Sequence, residues 1–249
     1  MKVSVITACY QSEATIQKTI DSVAQQTWPS IEHIVIDGAS KDATVPIVQR
    51  NISRIAHFVS EPDRGVYQAM NKGLRLATGD VIAFLNSDDV YSNAKAIETA
   101  LSTMQAENLD AVYGNVEFFH ASNPDKVVRT YDSGRFNPAR MGWGWMPAHP
   151  ALFIRREVYE RYGYFQEDYQ IAGDYEFIAR AFKSGTLKTR HIPEVLVRMQ
   201  TGGLSTAGLA ATYLLNKEIL QACRQNGIAS NWLMVLSKYF FKLRELFHG

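Results

Sequence analysis

The 249-residue chain is short of the features that mark several large protein classes. It has two cysteines, Cys9 and Cys223, far apart in sequence. Two isolated cysteines supply neither a disulfide framework nor a zinc site, so a reducing compartment is the expectation. There is no uninterrupted run of about 18 apolar residues, which argues against a transmembrane helix. The opening "MKVSVITACYQSEATI" lacks the long apolar core of a secretion signal. The sequon Asn51-Ile52-Ser53 therefore carries no weight, and a cytoplasmic location is expected. Neither sign of charge dominates: 26 Lys and Arg face 25 Asp and Glu, for a net +1. That balance argues against a general nucleic-acid binder. The loop after the first strand, "TACYQSEAT", has no glycine, which excludes both a dinucleotide fingerprint and a P-loop. Low-complexity segments and repeats are also missing, and with 46% hydrophobic and 20% charged residues the chain reads as folded.

What is present is alternation. "KVSVITA" (2–8) reads as a buried strand, short and β-branched. "SEATIQKTIDSVAQQ" (12–26) carries apolar residues at 16, 20 and 23, a helical spacing, with Ser12 as N-cap. The pattern repeats as strand 32–38, helix 42–50 capped by Asp42, strand 55–60, helix 65–77 with Gly73 as a blemish, strand 80–86 and helix 93–107. This predicts an α/β fold with a mostly parallel central sheet and flanking helices. Ligands of such sheets bind beyond the carboxyl ends of the strands. The polar clusters obey that rule, since Thr7 to Tyr10, Asp37 to Ser40, Glu61 to Arg64 and Asn86 to Asp89 each follow a strand. The second half differs. Paired strands at 110–119 and 126–132 flank a turn at Asn123-Pro124-Asp125, and an irregular Gly-, Pro- and Trp-rich loop (136–156) leads into strand 151–155. Helix 173–185, two strands within 186–200, and helices at 207–226 and 231–247 complete the reading.

The adjacent carboxylates of "AFLNSDD" (83–89) stand out. Asp88 and Asp89 repel each other at a strand end, so they either form a solvated turn or bind a hard cation. No His or Cys cluster lies near them, which points to Mg²⁺ or Mn²⁺ rather than zinc. Asp37 is placed to hold a ribose hydroxyl or a base N–H, and an Asx-turn explains it equally well. Arg64 is a partner for a phosphate or for Glu61 or Asp63. Asp174 stands in the first turn of a helix, which the helix dipole favours by itself, and it is also a candidate general base. His149 lies between Pro147 and Pro150 in the irregular loop; Trp143 and Trp145 beside it suit either a core or a sugar-stacking wall.

Four stretches in order carry a resemblance: "SVITACYQSEATIQKTIDSVAQQTWPSIEHIVIDGASKDAT", "SEPDRGVYQAMNKGLRLATGDVIAFLNSDD", "HPALFIRR" and "GDYEFIARAFKSG". Together they resemble family 2 glycosyltransferases of the GT-A fold, in particular bacterial enzymes of exopolysaccharide, colanic-acid-type and O-antigen assembly. The resemblance covers residues 2 to about 205. It implies an inverting, metal-dependent transfer from a UDP- or GDP-sugar to a hydroxyl of a saccharide or lipid-linked saccharide. It implies that Thr7, Ala8 and Tyr10 cradle the base, that Asp37 holds base or ribose, and that Asp63 and Arg64 lie near the nucleotide. Asp88 would face the ribose and Asp89 would bind Mg²⁺ or Mn²⁺. The family's first acidic position is here Ser87. Asp174 matches the catalytic base, although the usual Glu-Asp pair reads Gly173-Asp174; Asp168 and Glu176 are its alternatives. His149 would line the acceptor side.

The expected organisation is a catalytic domain at 1–205, with a nucleotide-sugar half (1–110) and an acceptor half (111–205), followed by a helical extension at 206–249. In "MQTGGLST" (199–206) two glycines suit a lid over the donor diphosphate. In the last segment Leu233, Leu236, Phe240, Leu243 and Phe247 form one helical stripe, widened by Trp232, Tyr239 and Phe241, with Lys238, Lys242 and Arg244 adding charge. That composition suits an interfacial helix on the cytoplasmic face of the inner membrane, or a helix packed on protein. Two other readings are a sugar nucleotidyltransferase, which lacks its Gly-rich basic loop here, and an inactive nucleotide-binding scaffold.

Overall fold

The computed structural model describes residues 1–202 and 208–246, with side chains described to residue 239. The first half forms as its periodicity predicts. Strands β1 (Val3–Cys9), β2 (Ile31–Asp37), β3 (His57–Ser60) and β4 (Val81–Phe84) alternate with helices α1 (Ile16–Ala24), α2 (Thr44–Arg50) and α3 (Val66–Leu76). All four strands are parallel, in the order β3-β2-β1-β4. The chain thus runs outward from β1 to β3 and returns on the other side of β1 as β4. That reversal creates a crevice between the carboxyl ends of β1 and β4, where α/β sheets bind ligands.

A short strand β5 (Val90–Tyr91) and helix α4 (Ala96–Glu107) lead into the mixed half of the sheet. Here β6 (Ala111–His120) pairs antiparallel with both β7 (Asn123–Tyr131) and β8 (Leu152–Arg155), and parallel with β9 (Thr189–Gln200). β8 joins the halves through its antiparallel pairing with β4. Helices α5 (Arg156–Tyr162) and α6 (Gly173–Phe182) cover this half. Helices α7 (Leu209–Gln225) and α8 (Trp232–Leu246) follow. Ile219, Ala222 and Cys223 of α7 and Val235 of α8 are buried in the same apolar cluster as Ile6, Phe84 and Phe177.

Several local expectations change. Ser12 does not cap α1; its hydroxyl turns to the Tyr10 carbonyl and to Ser87, and the helix begins at Ile16. The hairpin turn falls at 121–122, and Asn123 to Asp125 belong to β7. The two strands expected within 186–200 are one, β9, whose pairing with β6 shifts register around Asn115. Helix α5 was not foreseen, because seven residues span too few turns to display a period. Gly73 is no blemish. A Cβ there would collide with Ile6, so its absence lets α3 lie close on β1.

Candidate active site

Four loops meet at the crevice. After β1, Tyr10 to Ser12 turns back sharply, with Gln11 in the left-handed region at φ 49°. After β2, Ala39 does the same at φ 60°. The third non-glycine residue with positive φ among those described, Asn108, merely ends α4. Backbone strain of this kind costs on the order of 1 kcal/mol per residue and tends to collect where loops are shaped for a ligand. The two loops are tied together by the Gln11 N–H donating to Ser40 Oγ at 2.8 Å. A third loop arrives from β3. A Cβ on Gly38 would lie 2.8 Å from Asp63 Oδ2 and 3.3 Å from the Tyr10 ring, so these groups converge on that glycine. Tyr10 is 60% exposed, presenting its ring to solvent at the crevice rim.

Two residues expected in the cradle are engaged inward. The Thr7 side chain is fully buried and its hydroxyl lies 3.1 Å from His33 Nε2, on the sheet face that strand alternation gives both residues. Asp37 is also fully buried. It accepts from Ser40 N–H at 3.0 Å, from Ser40 Oγ at 2.5 Å and from Ser60 Oγ at 2.6 Å. In this structure Asp37 fastens two loops to the end of β2. Ala8 stays partly accessible. Arg64 is well exposed and leans on Glu167 at 3.3 Å. Such surface pairs are worth at most about 1 kcal/mol, so the guanidinium exchanges partners readily.

The fourth loop carries Ser87-Asp88-Asp89. Ser87 hydrogen-bonds Ser12 across the crevice at 2.8 Å. Asp89 is buried; its Oδ2 accepts from the Asn86 amide at 2.9 Å and its Oδ1 from the Gln200 N–H at 3.3 Å. Burial, and secondarily the charge of Asp88, pushes the Asp89 carboxyl well above the usual carboxylate range. Burial raises Asp88 too. Among the described residues no Lys or Arg pairs with either carboxylate. Two crowded carboxylates without a basic partner fit a divalent cation with oxygen ligands. No third protein carboxylate, His or Cys joins them among the described residues, which suits a metal that keeps water or phosphate ligands. Half of the lid segment expected at 199–206, residues 203–206, lies outside the described residues.

Asp174 is half-buried in the first turn of α6. The Tyr67 hydroxyl lies 3.3 Å from Asp174 Oδ1 and donates to the Ile171 carbonyl at 2.6 Å. The Tyr67 ring also fills the space that a side chain at Gly173 would need, since a Cβ there would meet it at 2.8 Å. Of the alternatives to Asp174, Glu176 is buried in an ion pair with Arg180 at 2.9 Å, and Asp168 is exposed. His149 is buried, stacked on Phe84 at 5.2 Å and edge-on to Phe165. Its Nε2 has no hydrogen-bond partner. Burial lowers its pKa while the charge of Asp174 acts the other way, so His149 lies within the field of that carboxylate. Phe84, on which His149 stacks, ends the strand that leads to Asp88-Asp89. Trp143 is exposed and Trp145 partly buried on the loop that delivers His149. Tyr67 escapes sequence reasoning because its ring behaves like any buried helix aromatic; only its hydroxyl is unusual.

The family described as Glycosyl transferase family 2 matches residues 4–163. A PGL/p-HBAD biosynthesis glycosyltransferase of Mycobacterium bovis is 29% identical over 226 residues, covering 88% of this chain and 82% of that protein. Glycosyltransferase AglE of Haloferax volcanii is 30% identical over 192 residues, covering 74% of this chain and 62% of that one. Among solved structures, S. aureus TarS 1–349 in complex with UDP-GlcNAc superposes with a TM-score of 0.71 at 19% identity; 91% of this chain is covered, and it spans 65% of that one. The mannosyltransferase PcManGT from Pyrobaculum calidifontis, in complex with GDP-Man and Mn²⁺, gives 0.63 at 19% identity, with 98% and 80% covered. The fold is that of the GT-A glycosyltransferases, and the chain belongs to glycosyl transferase family 2.

Proposed function

We propose that this chain transfers a sugar from a UDP- or GDP-sugar to a hydroxyl of a saccharide or lipid-linked saccharide, with inversion and with a divalent cation, in the assembly of a surface polysaccharide. The observation that carries the reading is the Asp88-Asp89 pair, crowded at the switch point of the sheet with no basic partner among the described residues. The UDP-GlcNAc bound to TarS and the GDP-Man and Mn²⁺ bound to PcManGT support the donor class and the cation.

In this reading Tyr10 and Asp63, converging on Gly38, take the base, while the buried Asp37 keeps their loops in register. Asp89, with Asp88, holds Mg²⁺ or Mn²⁺, which when bound offsets the charge developing on the diphosphate. Arg64 leaves Glu167 for the diphosphate. Asp174 receives the proton of the acceptor hydroxyl, a contribution of roughly 10²–10⁴-fold. Tyr67 orients that carboxylate. His149, held toward its neutral form by burial, lines the acceptor side from beneath the surface, with Nε2 enclosed. Attack from the face opposite the leaving group inverts the anomeric carbon.

The acceptor reading gains support from the outer surface of α7 and α8. Leu209, Tyr213, Trp232, Leu233 and Leu236 are exposed together, and Tyr213 stacks on Trp232 at 5.6 Å. Lys217 and Arg224 are exposed on α7. This composition fits anionic lipid on the cytoplasmic face of a membrane. Among the described residues no helix is long and apolar enough to cross one. Lys238 takes no part in that contact, because it is buried and folds back over the Tyr239 ring. Phe240, Phe241, Lys242, Leu243, Arg244 and Phe247 lie outside the described side chains.

Calorimetric titration of UDP, GDP and dTDP with and without Mn²⁺, on wild type and Asp89→Ala, tests the reading. Mn²⁺-dependent binding of one nucleotide, weakened at least a hundredfold in Asp89→Ala, is expected. Binding of none would reduce the chain to an inactive relative.

A further inference from the structure

One buried carboxylate far along the chain has no part in the chemistry above. Glu218 of α7 is 6% exposed. Its Oε1 accepts from the Gln170 N–H at 2.8 Å, and its Oε2 accepts from the N–H groups of Ile171 at 2.9 Å and Ala172 at 2.8 Å. These are three consecutive amides, and they end immediately before Gly173-Asp174. Ile171 is held from its other side too, because its carbonyl accepts the Tyr67 hydroxyl. Helix α6 has no side-chain cap at Ala172, and Glu218 accepts from the amides that lead into it. Hydrogen bonds from amides to a carboxylate are among the stronger ones a protein makes. Helix α7 is itself seated firmly. Lys183 Nζ donates to the Asn226 carbonyl at 2.6 Å, the Tyr169 hydroxyl donates to Gln225 at 2.6 Å, and Tyr175 meets the Cys223 thiol at 3.3 Å.

We propose that Glu218 is a positioning residue for the transfer reaction. It fixes the 170–172 segment from outside the sheet and so sets where the Asp174 carboxylate stands toward the acceptor hydroxyl. The inference rests on the reading of Asp174 as the base. Misplacing a reacting group by about 1 Å is enough to slow a reaction roughly a hundredfold, and a clamp on three amides restricts displacements of that size. Helix α7 is then part of the catalytic apparatus as well as of the acceptor-side surface.

Glu218→Gln tests it, since the amide keeps the shape but turns one acceptor oxygen into a donor that faces a backbone N–H. Amide exchange at 170–172 is expected to quicken at least tenfold. UDP or GDP affinity with Mn²⁺ should stay within twofold of wild type. With whichever of UDP-GlcNAc and GDP-mannose is consumed, kcat for nucleotide release should fall at least tenfold at unchanged donor KM. The exchange measurement needs no substrate: unchanged exchange at 170–172 overturns the clamp. Faster exchange with unchanged kcat overturns its role in turnover, and an equal loss of nucleotide affinity makes it a general structural residue. Should Glu218→Gln fail to fold, Glu218→Asp, which keeps the charge but shortens the reach to the three amides, is expected to give the same split. Asp174→Asn separates the two ideas. If it keeps full turnover, the base reading fails whatever Glu218→Gln does; if it is inactive while Glu218→Gln turns over normally, only the positioning role fails.

Discussion

At the scale of the residue, the site holds a conflict between stability and binding. Burial raises the affinity of both Asp88 and Asp89 for protons, and the charge of Asp88 raises that of Asp89 further. Without metal, Asp88→Asn should raise the thermal midpoint by a few degrees, about 1 kcal/mol of relieved repulsion. With Mn²⁺ and nucleotide the order should reverse, because wild type gains more from ligand linkage. Scanning calorimetry in both conditions checks the crossing; a variant less stable in both would mean that the pair is not repulsive. The carboxylate pair is legible in the sequence, since two adjacent acids after an apolar strand have few explanations. The inward turn of Thr7 and the full engagement of Asp37 are not legible. They depend on His33, Ser40 and Ser60, whose distances from their partners are set only once β1, β2 and β3 pair.

At the scale of the element, β2 carries two neighbours whose pKa values are both lowered, for different reasons. Burial would raise the Glu32 carboxyl, but the Lys2 ammonium at 2.6 Å, with hydrogen bonds from Ser4 and Thr78, outweighs it and pulls the pKa from 4.5 to about 2. Burial pushes His33 from 6.5 down to about 4. Both groups bind a proton more readily when unfolded, so both lose stability as pH falls. His33 acts between about 6.5 and 4, and Glu32 between about 4.5 and 2. His33 contributes up to about 3 kcal/mol over its window. Denaturant titrations from pH 7 to pH 3 should show stability falling through both windows; His33→Gln should flatten the upper limb and Glu32→Gln the lower one. Parallel curves for wild type and His33→Gln above pH 5 would remove His33 from the account. The elements themselves are legible where one face is buried over many residues, as in α3. Helix α5 and the single long β9 are not, because a seven-residue helix shows no period and Pro193 reads as a break although it sits within β9.

At the scale of the whole molecule, five of the ten exposed large hydrophobic residues among those described lie on α7 and α8. If they meet lipid, the protein should co-float with vesicles containing about one third anionic phospholipid. Leu233→Glu combined with Leu236→Glu should then weaken binding at least tenfold, since each buried leucine is worth about 2 kcal/mol. Equal flotation of both proteins, or none, would turn attention to self-association, read by light scattering. This surface is only half legible. The stripe of Leu233 and Leu236 is visible in the sequence, but Leu209 and Tyr213 join it only through the packing of α7 beside α8.

The Tyr67–Gly173 contact also constrains descent. Where the family resemblance implies a glutamate beside the base, this chain has only hydrogen at Gly173, and the Tyr67 ring occupies that volume. The two positions are therefore coupled: a side chain at 173 requires the ring at 67 to move or to shrink. Residues 67 and 173 are expected to co-vary across the family, marking a branch in which a tyrosine hydroxyl from α3, instead of a neighbouring carboxylate, stands beside the base.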